Sequence, residues 1–208
     1  MLWSFLPVAL LLTLTPGPAT VLVVRSAARG GRREALATTL GNELGVLAWG
    51  LAAAVGLAAI VAASAAAFTA VKLVGATMLV VLGAYWLFRA GSIQAADTDA
   101  LRTDRQTGLR NAFGAGLLTA VTNPKLAAFY VALFPQFLPD DGSVLGAALA
   151  MALLVALLDL VWYSALALIV ARVAHVLLEG GWLRRVQRAC GALLVALGIR
   201  LAFEQRAS

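Results

Sequence analysis

The sequence predicts an all-α polytopic membrane protein, with six transmembrane helices in an inverted 3+3 repeat whose first and fourth helices are broken. Three observations predict it. The 208 residues are 62% hydrophobic and only 12% charged, roughly half the ~25% charge of a soluble domain, and the mean hydropathy is +0.92. Apart from Arg200 in the last apolar run and Arg206 near the C-terminal end, the arginines fall in three short stretches: Arg25, Arg29, Arg32 and Arg33; Arg89, Arg102, Arg105 and Arg110; Arg172, Arg184, Arg185 and Arg188. The breaks between them, around Ser64 and Pro139–Ser143, hold no Lys or Arg, the alternation expected of a chain threaded back and forth through a bilayer. Finally, Thr15-Pro16-Gly17-Pro18 and Thr122-Asn123-Pro124-Lys125 place proline well inside apolar runs, at matching points of the two halves.

A spanning helix needs about 20 mainly apolar residues, and residues 2–24 supply the first. They lack a basic region ahead of the apolar run and are interrupted by Pro16 and Pro18, so a retained helix is expected rather than a cleaved signal. Residues 35–88 have only Glu43 and Lys72 as charges. As one helix they would run roughly 80 Å, so the chain must fold back. The turn is placed at Ala62–Ala67 around Ser64, the least hydrophobic point, giving crossings 38–61 and 67–88. Residues 112–135, entered at Phe113 and ended by Pro135 and Pro139, form the fourth crossing, 144–171 the fifth, and 187–203 a shorter sixth.

Six crossings put the arginine-rich connections on one side, cytoplasmic by the positive-inside rule, and both termini outside. Residues 1–88 and 112–208 then make two three-helix halves. The polar connection 89–111, with Asp97, Asp99 and Asp104 among its arginines, joins them on the cytoplasmic side. An odd number of crossings per half means that any repeat relating them is inverted, a recurring transporter plan with a site between the halves.

The net charge of +6 and pI near 10.4 do not call for nucleic acid, because the arginines flank apolar segments and serve orientation. Cys190 is the single cysteine, which excludes an internal disulfide and a cysteine metal cluster. His175 sits in a connection without a second histidine, so no metal site is expected. With no HExxH, and no nucleophile–base pair inside the crossings, neither an enzyme nor a cofactor is expected.

Attention therefore moves to the polar groups inside the crossings. A proline in a helix removes a donor and frees an earlier carbonyl, and inside hydrocarbon such a break is tolerated only against protein or a water-filled cavity. Broken helices expose end dipoles and carbonyls that can hold a carboxylate, an ammonium group or an ion. Pro16, Gly17, Pro18, Asn123 and Pro124 are candidates on this ground. Asp159 lies near the middle of the fifth crossing and Lys125 at similar depth in the fourth. Each reads either as a structural ion pair between the two or as a binding group. Glu43, about one and a half turns into the second crossing, either carries a proton or reaches the membrane surface. Lys72 and Arg200 are expected to snorkel, and Trp3, Trp86 and Trp182 to form an interfacial belt. Gly41 with Gly45, Gly75 with Gly83, and Gly191 with Gly198 are small faces for close helix packing. They can pack within one chain or between two, which leaves a homo-oligomer open.

Taken together these residues resemble the lysine exporter (LysE/RhtB) family of bacterial amino-acid efflux proteins over nearly the whole chain. Thr15-Pro16-Gly17-Pro18 looks like the family's first-helix Pro-Gly-Pro segment, and Gly41 and Gly45 fall on its glycine-spaced second helix. Lys72, Gly75 and Gly83 match the third-helix pattern, with Arg89 following. Thr122-Asn123-Pro124-Lys125, Phe129 and then Leu133-Phe134-Pro135-Gln136-Phe137 resemble its Asn-Pro-Lys…Phe-Pro-Gln-Phe signature. Asp159 and Tyr163 match its fifth-helix acidic and tyrosine positions, and Gly191 and Gly198 its last-helix glycines. Met78 and Glu43 depart from the residues common in relatives, and both bear on substrate choice.

The resemblance implies a secondary exporter of amino acids or related metabolites in the bacterial inner membrane, driven by the proton motive force. On this reading Pro16, Gly17, Pro18, Asn123, Pro124, Lys125 and Tyr163 contact the substrate, with Lys125 facing its carboxylate. Asp159 or Glu43 takes the ammonium group or the exchanged proton. The alternatives are export of another small solute or cation, and a non-transporting membrane scaffold.

Overall fold

A computed structural model describes residues 2–89, 108–138 and 143–179, together with nine helical positions between 185 and 199. The expectations for most of the 89–111 connection, for most of the sixth crossing, and for the side chains of Lys72, Trp86, His175, Trp182, Cys190 and Arg200 lie outside what is described. Helix α1 spans Leu2–Leu14. It stops ahead of Pro16, with the Thr15 N–H closing the last turn on the Leu11 carbonyl (3.0 Å). The chain bends at Thr15, Gly17 is extended (φ −150, ψ −169), and α2 runs Pro18–Ala63, starting on proline, which has no N–H to leave unpaired.

α2 is not one rod. Gly31 has φ 69 and ψ −166, a backbone state that glycine alone adopts cheaply. In an unbroken helix Ser26 and Thr38 would stand about 18 Å apart, yet their hydroxyls are hydrogen-bonded at 2.8 Å. The chain therefore reverses at Gly31, giving a short arm, 18–30, and a long arm, 32–63. The first arginine stretch lies on two helix ends and not in a loop, because a single glycine makes the whole turn. The long arm ends at Ser64, where the turn was expected: Ser64 is extended (φ −166, ψ 122), its N–H donates to the Ile60 carbonyl (3.0 Å), and its Oγ accepts from the Ala67 N–H (3.2 Å). One residue thus closes α2 and caps α3 (Ala65–Arg89).

The next span begins with α4 (Leu109–Val121). It breaks at Thr122–Asn123 and resumes as α5 (Pro124–Ala128), a π-turn over Phe129–Leu133 and a 3₁₀ turn over Phe134–Phe137. α6 follows (Val144–Glu179), its start capped by Ser143 Oγ, which accepts from the Gly146 N–H (3.0 Å). Among the described residues three helical stretches are long and apolar enough to cross a membrane, Pro18–Ala63, Leu109–Phe137 and Val144–Ile169, and Leu2–Leu14 and Thr69–Tyr85 are shorter apolar helices. Leu40, Leu44, Leu47, Leu51 and Val55 line one exposed face of the long arm, an apolar stripe at helical spacing that water would disfavour and lipid would not.

Small residues set the packing. A Cβ at Gly41 would land on the Phe113 carbonyl, and one at Gly116 on the Thr38 carbonyl, so the long arm and α4 meet backbone to backbone. Gly75 is similarly pressed against the Ala132 backbone, and a Cβ on either Gly83 or Gly191 would stand 2.7–2.8 Å from the other's carbonyl oxygen. Gly41→Ala is therefore expected to lower unfolding free energy by about 1–3 kcal/mol through overpacking. Gly56→Ala, where an added Cβ meets nothing within 4 Å, should be close to neutral. Thermal unfolding of the two variants in detergent checks the contrast.

Two apolar clusters form. The larger gathers Phe5, Leu12, Val46, Phe129, Tyr130, Phe134, Val155 and Ala156, with Phe5 touching Phe129, Phe134 and Phe137 at centroid distances of 5.9, 6.1 and 5.3 Å. The smaller gathers Ala19, Val23, Ala27, Ala35, Tyr163 and Ala167.

Candidate functional site

Between the two apolar clusters lies a polar layer. Along the first helix Thr13 and Thr15 separate Leu12 from Ala19. Along the long arm Asn42 and Glu43 separate Ala35 from Val46, and along α6 Asp159 separates Ala156 from Tyr163. All these polar residues are buried. Hydrophobic patterning cannot account for them, since each displaces an apolar side chain from a buried position.

The two breaks meet in this layer. In an unbroken helix the Leu12 carbonyl would accept from residue 16, but Pro16 has no N–H. Lys125 supplies the donor: its Nζ donates to the Leu12 carbonyl at 2.9 Å and to the Thr15 carbonyl at 3.0 Å. A cation at the C-terminal end of α1 also meets the negative end of that helix. The same logic recurs at the second break. The ladder partner of the Ala120 carbonyl would be Pro124, and its place is taken by the Trp49 indole N–H (3.2 Å) and the Asn123 N–H (3.2 Å). Asn123 Oδ1 accepts from the Lys125 N–H (2.9 Å), capping α5. Each proline break is thus closed by a side chain from another helix.

α6 holds the first break on both sides. Thr13 Oγ1 donates to Asp159 Oδ1 before it, and Tyr163, one turn further along α6, shares a hydrogen bond with Thr20 beyond it. Gly17, in the break, donates its N–H to Thr20 Oγ1 (3.3 Å), and a Cβ on it would stand 3.7 Å from Lys125 Nζ. Asp159 interacts electrostatically with both Lys125 and Glu43. Glu43 is 6% exposed. Since its arm starts at residue 32, it lies about 16 Å along the helix. The helix starts six residues ahead of the apolar crossing expected at 38–61, with Arg32, Arg33 and Glu34 in its first turn.

Seven of the nine candidate residues are buried in or beside this layer, while Pro18 and Pro124 stand exposed at the edges of the two breaks. Pro16, Gly17 and Pro18 form one break, Asn123, Pro124 and Lys125 the other, and Glu43, Asp159 and Tyr163 line the helices that face them. The Lys125 ammonium group is held by the first helix, so a substrate carboxylate reaches it only by competing with two backbone carbonyls. Four buried atoms here lack a hydrogen-bond partner: Glu43 Oε2, Asn42 Oδ1, Asn123 Nδ2 and the Tyr130 hydroxyl. Unsatisfied buried groups of this kind call for an explanation, and binding is the natural one inside a membrane. Thr13, Thr20, Asn42, Trp49 and Tyr130 escaped notice in the sequence. Polar side chains one or two turns from a proline break, or adjacent to a buried carboxylate, are the signal that would have found them. Among the described residues no group of His, Cys, Asp and Glu is arranged for a metal ion.

The fold and this interior define a helical membrane protein with a polar site held inside its bundle. The chain belongs to the LysE type translocator family, whose family model matches residues 10–205. It is 26% identical over 203 residues to the uncharacterized membrane protein YrhP of Bacillus subtilis, covering 96% of this chain and 97% of the relative. It is 28% identical over 206 residues to the homoserine/homoserine lactone efflux protein of Salmonella typhimurium, covering 99% and 97%. An uncharacterized membrane protein of Vibrio cholerae is 28% identical over 200 residues, covering 96% and 95%. No solved structure gives a significant match.

Proposed function

We propose that this translocator is a secondary active exporter of amino acids or close derivatives, driven by the proton motive force. The single observation that carries the reading is the meeting of two broken helices with a lysine and two carboxylates in a layer sealed above and below by apolar clusters. The likeness to homoserine/homoserine lactone efflux proteins supports the substrate class. The chain makes six crossings in the bacterial inner membrane, as two inverted halves (residues 1–88 and 112–208) joined by the cytoplasmic connection 89–111, with both termini outside.

The mechanism follows from charge balance. Two carboxylates and one ammonium group leave the layer one cation short, and a charge buried in hydrocarbon is sustained only when paired. A proton on Glu43 or Asp159 supplies the missing positive charge, and a zwitterionic substrate brings none: its ammonium group pairs with the remaining carboxylate and its own carboxylate with Lys125. The substrate carboxylate draws Lys125 away from the Leu12 and Thr15 carbonyls, which unlatches the first helix from the fourth. Binding is thereby coupled to the rocking of one half against the other, the alternation an exporter needs.

The test is export profiling. Cells overproducing the protein are fed amino acids as dipeptides, and the medium is assayed over time against cells carrying Glu43→Gln, with membrane insertion checked. Accumulation of one or more amino acids, reduced at least tenfold by Glu43→Gln, is the expected result. Equal accumulation with and without the protein across the whole panel would overturn the reading.

A further inference from the structure

Glu43 and its neighbour Asn42 are both buried, 6% and 2% exposed, and their side chains touch: Asn42 Nδ2 donates to Glu43 Oε1 at 3.1 Å. The two oxygens left over, Glu43 Oε2 and Asn42 Oδ1, are buried and receive no donor. An ionised carboxylate and an amide oxygen only accept, so neither can answer the other. One proton changes that. We propose that the proton which drives export rests on Glu43 Oε2 and donates to Asn42 Oδ1, closing acid and amide into a ring of two hydrogen bonds, with Asn42 as the positioning residue. The inference rests on the export reading and decides which of the two carboxylates carries the proton.

A single proton satisfies both orphan oxygens, whereas a metal cation would want about six oxygens around it. Turning the amide over would set Oδ1 against Oε1 and call for the same proton. Asp159 is differently placed. Thr13 donates to its Oδ1, Lys125 faces its charge, and neither of its oxygens is a buried atom without a partner. The charged group that faces Glu43 is Asp159 itself, of the same sign. A lone proton therefore belongs on Glu43, since a buried charge is sustained only beside its opposite. Tyr130 of the π-turn and Tyr163 of α6 also face Glu43, and phenols are neutral at physiological pH. α1 holds no titratable side chain, and α4 only Arg110, in its first turn. Arg25 and Arg29 of the short arm lie nearer the Gly31 reversal, since Ser26 pairs with Thr38. With Glu43 neutral, Asp159 and Lys125 remain as an opposed pair, and a zwitterion bridges them with its ammonium group on Asp159.

The test is infrared spectroscopy of the full-length protein in lipid at neutral pH. The parent should show the C=O band of a protonated carboxyl group, and Glu43→Gln should abolish it. Asn42→Leu and Asn42→Ala, one filling the space of the amide and one leaving it open, should each move the band to higher frequency, because Oε1 loses its Nδ2 donor. Thr13→Val should leave the band in place. A band absent from the parent, or unchanged in Glu43→Gln, overturns the assignment. So does a band that moves with Thr13 and not with Asn42, which puts the proton on Asp159. Vesicles loaded with the common amino acids and homoserine read the driving role: an imposed proton gradient should accelerate efflux through the parent and leave Glu43→Gln unaccelerated. Equal acceleration in both overturns Glu43 as the driving carboxylate. If the parent moves none of these compounds, the export reading falls instead, and the spectra, which need no transport, still decide where the proton rests.

Discussion

Lys125→Met should lower unfolding free energy by about 3–5 kcal/mol, the cost of removing one partner from a buried charged network, and should cut export at least about a hundredfold. Lys125 is the donor that the Leu12 carbonyl loses because residue 16 is proline, and it also satisfies the Thr15 carbonyl. Methionine keeps most of the apolar stem and removes the donor and the charge. Adding Pro16→Ala to Lys125→Met gives the discriminating measurement. An alanine N–H can reach the Leu12 carbonyl, so the double variant should recover about 1 kcal/mol while export stays lost. Unfolding in detergent and transport in vesicles read the two effects separately. If Lys125→Met unfolds no more easily than the parent protein, the latch between the first and fourth helices does not hold the fold together.

Asp159→Asn is expected to separate function from folding. An asparagine Oδ1 can still accept from Thr13, so the bond that ties α6 to the first helix survives. What disappears is the negative charge that faces Lys125 and repels Glu43. Stability should change by no more than about 1–3 kcal/mol, because the lost attraction is offset by removal of a charge that is costly to bury. Export should fall by about a hundredfold, since an amide can bind neither a proton nor an ammonium ion with comparable strength. The double variant Lys125→Met with Asp159→Asn should be more stable than the sum of the single effects by about 1–3 kcal/mol, as coupled neighbours are. Simple additivity would show that the two residues act independently.

The membrane character, the Ser64 turn and both helix breaks were legible in the sequence, each for a local reason. Hydrocarbon demands long apolar runs, serine interrupts an alanine-rich one, and a proline lacks its N–H in any surroundings. The glycine faces were legible too, because a missing side chain is what allows the long arm to touch α4 at Gly41 and Gly116. Other features were not. The reversal at Gly31 looked like part of an arginine-rich loop, and that shortened the second helix by six residues at its start. Glycine in a helix and glycine in a turn are the same residue, and nothing local says which φ it takes.

The candidate site divides along the same line. Covalent structure decides which carbonyls are orphaned: those four residues before Pro16 and Pro124 must look elsewhere for a donor. Which groups answer depends on contacts 113 and 71 residues apart in the chain, Lys125 to Leu12 and Trp49 to Ala120. The arginine alternation, the apolar lengths and the positions of the breaks follow from the chain's composition and order, because bilayer and backbone act on each segment separately. The pairing of the two breaks through Lys125 and the burial of Glu43 arise only when the helices pack. A polar group in hydrocarbon has no water to turn to, so its partner is whatever the bundle brings within reach.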